Sequence, residues 1–103
     1  MKHLIFNKFL FSILGIFLVI IVSAQDSTQI LWDKANAYYT TEEYNQAISV
    51  FEEILQKGQE SARLYFNLGN AYYKTGDINN AILNYERAKL LAPQDEDIDF
   101  NLN

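Results

Sequence analysis

Apolar positions along this chain follow two different rules. From Phe9 to Val22 they form an uncharged run, whereas further on they recur every three or four residues, the spacing that gives a helix one buried face. Tyr65, Leu68 and Tyr72 share one such face, and Ile78, Ala81, Ile82, Tyr85 and Ala88 share another. Gly76-Asp77 separates the two segments: glycine reaches the left-handed conformation that closes a helix, and aspartate accepts from the free amides that open the next. The segment from Ala62 to Pro93 therefore predicts a helical hairpin.

Sliding the chain along itself by about 34 residues, a period found among helical repeats, reveals a second copy of this unit. Asn36-Ala37-Tyr38-Tyr39 lies over Asn70-Ala71-Tyr72-Tyr73, Thr41 over Thr75, Asn45 over Asn79, Ala47-Ile48 over Ala81-Ile82, and Glu52 over Glu86. Ala35 over Gly69, Phe51 over Tyr85 and Leu31 over Tyr65 are conservative replacements. The first copy departs at Lys34, Glu42, Ile54 and Gln59, which stand over Leu68, Gly76, Ala88 and Pro93. Asp26 or Ser27 is expected to cap its first helix, and Gly58 to end its second. Phe100-Asn101-Leu102 repeats Phe66-Asn67-Leu68, so a third unit is expected to begin after Pro93, and the chain is expected to be a fragment or a truncated product.

Tyr65, Leu68-Gly69, Tyr72, Ala81, Tyr85, Ala88 and Pro93 resemble the tetratricopeptide repeat in both residue type and spacing. Gly69 and Ala81 remove bulk where paired helices cross, Ala88 does so towards the next unit, and Pro93 stops the second helix. The expected fold is all-α: tandem antiparallel helical hairpins of an α-solenoid, two repeats and the start of a third, preceded by an N-terminal signal helix. Residues 1–24 are expected to be a signal peptide and 25–103 the repeat domain, with repeats at about 28–61 and 62–95 and a partial repeat at 96–103.

The leader reading rests on Lys2, His3 and Lys8, the apolar run, and Ser23-Ala24-Gln25, with cleavage after Ala24. An uncleaved anchor is the competing reading. Either way the remainder is expected to be exported. The whole chain carries −5; without Lys2 and Lys8, six basic residues face thirteen acidic ones, a balance of −7. Nucleic acid and anionic lipid surfaces are therefore not expected as partners, and membrane contact is expected only through an uncleaved leader or segments missing from this chain.

No cysteine is present, and the single histidine, His3, lies in the leader. Triads built on either residue, and ordinary zinc sites, are therefore excluded from the remainder, and neither catalytic residues nor cofactors are expected. Asp95, Asp97 and Asp99 imitate the start of a calcium loop, but Phe100 stands where such a loop needs glycine. Acidic residues at a helix N-terminus explain them more simply.

What the tetratricopeptide resemblance implies is a groove lined by the inner helices, with Gln29, Trp32, Asn36 and Tyr39 from the first repeat and Arg63, Phe66, Asn70, Tyr73 and Lys74 from the second. Asn36 and Asn70 could bond the backbone of an extended peptide while the aromatics hold its side chains. The competing reading is that the asparagines tie neighbouring helices together and the aromatics cover the core. Members that clamp the carboxylate tail of chaperones carry Lys at the place of Trp32 and basic residues at those of Asp97 and Asn101. Only their asparagines, at Asn36 and Asn67, are matched here, so no binding of acidic tails is expected.

The run Ser61 to Lys74, Ala81 to Ala88 and the Pro93 to Leu102 ending also resemble BatE-type proteins of the Bacteroides aerotolerance operon. That likeness implies a periplasmic array, associated with the inner membrane and working with partner proteins. The functional expectation is an exported protein-interaction module or scaffold and not an enzyme. The alternatives are the N-terminal part of a larger exported enzyme, or a purely structural spacer.

Overall fold

The computed structural model describes residues 27–102. Leu31–Asn103 forms one compact unit. The expected signal peptide and the Asp26 cap lie outside the described residues, while Ser27 is already helical. Helix α1 covers residues 27–40, α2 Tyr44–Gln56, α3 Ala62–Lys74, α4 Ile78–Leu91 and α5 Glu96–Leu102. Among the described residues there is no strand, so the all-α expectation holds.

Short turns force consecutive helices to run back on one another. At the end of α3 the Gly76 amide donates to the Tyr73 carbonyl and the Asp77 amide to that of Tyr72, each at 3.0 Å, with Gly76 at φ +82°. This paired closure satisfies carbonyls the helix leaves unmet. The same closure ends α1, where Glu42 donates to Tyr39 and Glu43 to Tyr38, although Glu42 must then adopt φ 63°. A non-glycine residue is strained there. Gly58, at φ +82°, ends α2 as expected. Asp77 caps α4 by accepting from the Asn80 amide, and Ser61 caps α3 through the Leu64 amide at 3.1 Å.

The core is continuous through both hairpins: Ala35, Ala47, Val50, Phe51, Ile54, Leu64, Tyr65, Leu68, Ala88 and Ile98 are all buried. Helix α3 packs on α4 most extensively, then on α2, and α5 packs on α4. Gly69 is where α3 and α4 approach, and the group facing it is the ring of Tyr85; a Cβ at Gly69 would stand 2.5 Å from Tyr85 Cε1. Polar edges are tied by Tyr72 donating to Glu52 across 3.2 Å and by Tyr65 donating to Glu60 across 2.8 Å.

Helix α4 corrects one expectation. Its buried face consists of Ala81, Asn84, Tyr85 and Ala88, while Ile78 and Ile82 are each 47% exposed. These isoleucines stand over Tyr44 and Ile48 on α2, which are half-buried beside the full-length α3. As described, α5 is about half as long as α3 and cannot run back to cover the corresponding flank of α4. Asn84, over Val50 in the first hairpin, is instead buried: its Nδ2 donates to the Asn80 carbonyl, and its Oδ1 has no partner among the described residues.

Candidate functional site

One row of helices, α1, α3 and α5, carries every residue expected to line the groove. α1 and α3 meet through Trp32 and Arg63, the guanidinium lying 4.5 Å from the indole centroid. Phe51, a buried core residue, packs edge-on against Trp32 at 5.7 Å, so the half-buried indole is fixed from within the core. Phe66 is half-buried and leans on Tyr85, with ring centroids 5.9 Å apart. Arg63 and Phe66 also line a recess between α3 and α5 of about 370 Å³, together with Ala62, Asp95, Asp97 and Ile98.

A second recess, of about 410 Å³, is lined by Asn70, Tyr73, Tyr85 and Asn101. The Tyr85 hydroxyl donates to Asn70 Oδ1 at 2.5 Å, and Asn101 Nδ2 donates to the same oxygen at 3.4 Å. Asn70 thus ties α3 to both α4 and α5. Its carbonyl is occupied, and its own NH₂ is the group left to meet a ligand. Tyr73 is 60% exposed beside it. Burial pushes the Tyr85 hydroxyl up to about 12, helped by the neighbouring Tyr39 and Tyr73 phenols, so it remains a neutral donor. Tyr39 is raised by burial too, with the Lys74 ammonium acting against the shift. Tyr39 packs edge-on against Tyr44 at 5.2 Å.

The structure therefore gathers the expected residues into two neighbourhoods. Trp32, Arg63 and Phe66 form one; Asn70 and Tyr73 form the other, with Tyr39 and Lys74 close enough to influence each other electrostatically. Asn36 is exposed on α1 and joins neither. The two asparagines are unequal because Phe51, over Tyr85, has no hydroxyl to offer Asn36. The groove expectation omitted Tyr85, Asn101, Asp95, Asp97 and Ile98. The substitution of Tyr for Phe between the repeats was the available signal for Tyr85, and the return of Phe-Asn-Leu one period later was the signal for Asn101.

A family model described as tetratricopeptide repeat matches residues 33–96, a span that runs from within α1 through the whole second hairpin. The chain belongs to the tetratricopeptide repeat family. No curated protein matches it. Family membership accounts for the small residues buried at fixed places, Ala35, Gly69, Ala47, Ala81 and Ala88, which let tetratricopeptide helices nest closely. It also makes the chain a protein-interaction module in its general character. In that setting the row α1, α3, α5 is a candidate peptide groove offering aromatic side chains, amide donors and charges of both signs.

Proposed function

We propose that this chain is an exported tetratricopeptide array that holds an extended segment of a partner protein along α1, α3 and α5. One observation carries the reading: Trp32 and Tyr85 are fixed by buried contacts while Arg63, Tyr73 and the Asn70 amide remain available beside them. Pre-set side chains lose little freedom on binding, which favours recognition over general stickiness. Trp32, Arg63 and Phe66 would hold one part of the segment; Asn70, Tyr73, Lys74 and Tyr39 would hold the next, with Asn36 bonding its backbone.

Export is supported by the basic start, apolar run and Ser-Ala-Gln ending of the leader. Among the described residues no helix is long and apolar enough to cross a membrane. The likeness to BatE-type proteins supports a periplasmic location near the inner membrane, with partners from the same operon.

Site-specific photocrosslinking tests the reading. A photoreactive phenylalanine replacing Phe66 or Tyr73 should give a discrete adduct in the cell envelope, whereas the same group replacing Gln46 or Glu53 on α2 should not. Equal adducts from both sets, or none from the groove, would refute the proposal.

A further inference from the structure

The outer face of α4 carries a feature that the fold does not require. Leu83 and Leu90 are 45% and 82% exposed, one heptad apart on the side of α4 directed away from Ala81, Tyr85 and Ala88. The first hairpin supplies its own control. At the equivalent places α2 carries Ser49 and Gln56, both exposed although α3 packs against that helix. Stacking of another hairpin therefore leaves these positions open, and the leucines are needed neither for the hairpin nor for the core.

Charge identifies the occupant. With about 100° between successive residues, Glu86 and Arg87 lie roughly 50° to either side of the Leu83–Leu90 line. A two-fold axis parallel to α4 brings each leucine onto its own copy and sets Glu86 of one chain against Arg87 of the other, twice. The antiparallel alternative would instead place Glu86 against Glu86 and Arg87 against Arg87. On α2 the corresponding pair is Glu52 and Glu53, so no such arrangement is available there. Arg87 is exposed and free enough to take part, its contact with the Tyr65 ring being a loose 5.8 Å. We infer that α4 is a self-association surface on which a second copy of this chain docks in parallel, through Leu83 and Leu90 with reciprocal Glu86–Arg87 pairs.

The chain has no cysteine, so single introduced thiols report on this geometry directly. In the full chain, Leu90→Cys should form an intermolecular disulfide under mild oxidation at least about tenfold faster than Gln56→Cys, the equivalent position on α2. Adding Leu83→Ser or Glu86→Arg to Leu90→Cys should slow that reaction several-fold. Adding Glu86→Arg together with Arg87→Glu should restore it. All these positions are exposed, and unchanged helical circular dichroism checks that folding is intact. Equal crosslinking of Leu90→Cys and Gln56→Cys, or an effect of Glu86→Arg that Arg87→Glu does not reverse, would overturn the inference.

Discussion

Replacing Gly69 with alanine should destabilise the second hairpin, and the sign of the effect depends on one neighbour. A Cβ at Gly69 would lie 2.5 Å from Tyr85 Cε1, 2.6 Å from Cδ1 and 3.1 Å from Cγ, about 1 Å inside normal carbon contact. The ring cannot swing away cheaply: it is 4% exposed, its hydroxyl is bonded to Asn70, and Phe66 leans on it. Overpacking of this kind costs about 1–3 kcal/mol. Alanine in a helix interior recovers about 1 kcal/mol relative to glycine. With a buried ring as the obstacle the upper part of the range applies, leaving a net loss of about 1–2 kcal/mol, or a Tm lower by roughly 5–15 °C. Thermal unfolding followed by circular dichroism measures it. In a Tyr85→Leu background the rigid ring is absent, so the same Gly69→Ala change should cost nothing or stabilise. The first hairpin buries Ala35 and Phe51 at the equivalent places, so alanine is accommodated at that position there. An equal loss in both backgrounds would refute the reasoning.

Other consequences concern particular side chains. Asn84→Val, which gives the residue type of Val50, removes a buried carbonyl that has no partner among the described residues and should raise stability by about 1 kcal/mol in urea titration. Glu42→Gly relieves a left-handed φ of 63° and should stabilise by about 1 kcal/mol, whereas Gly76→Ala, at φ +82°, should destabilise by a similar amount. Because the folded state raises Tyr85 from 10.0 to about 12, its contribution is complete below about pH 10 and lost as pH climbs through 12. Thermal midpoints should fall across that window, and Tyr85→Phe should flatten the fall without abolishing it, since burial also raises Tyr39, Tyr65 and Tyr72.

The helices and their pairing were legible because two physical signals coincided: apolar residues at helical spacing, and turn residues between them. Gly58 and Gly76 announce left-handed closures, and Asp77 announces a cap. Glu42 adopts the same closure without such a signature, and in the sequence it stands over Gly76 only as a departure between the repeats. Periodicity misled on α4. Ile78 and Ile82 fall at helical spacing with Ala81, Tyr85 and Ala88, yet they are 47% exposed where the described α5 does not reach their flank, while polar Asn84 is buried because its place in the hairpin is buried regardless of residue type. For the groove, periodicity and family geometry put Trp32, Arg63, Phe66, Asn70 and Tyr73 on one row of helices. Single-residue spacing could not show that Asn70 is engaged by Tyr85 and Asn101 while Asn36 is not, since that depends on a hydroxyl from another helix.

The central claim is that a partner protein lies along α1, α3 and α5. Once photocrosslinking has identified that partner, its affinity for Arg63→Ala and Tyr73→Ala tests the claim most directly, because both side chains are exposed and their loss should leave Tm nearly unchanged. The account predicts about tenfold weaker binding for each, with the melting temperature unaltered in Tyr73→Ala and lowered by no more than a few degrees in Arg63→Ala, which gives up the contact with Trp32. Unchanged affinity for both variants would contradict it.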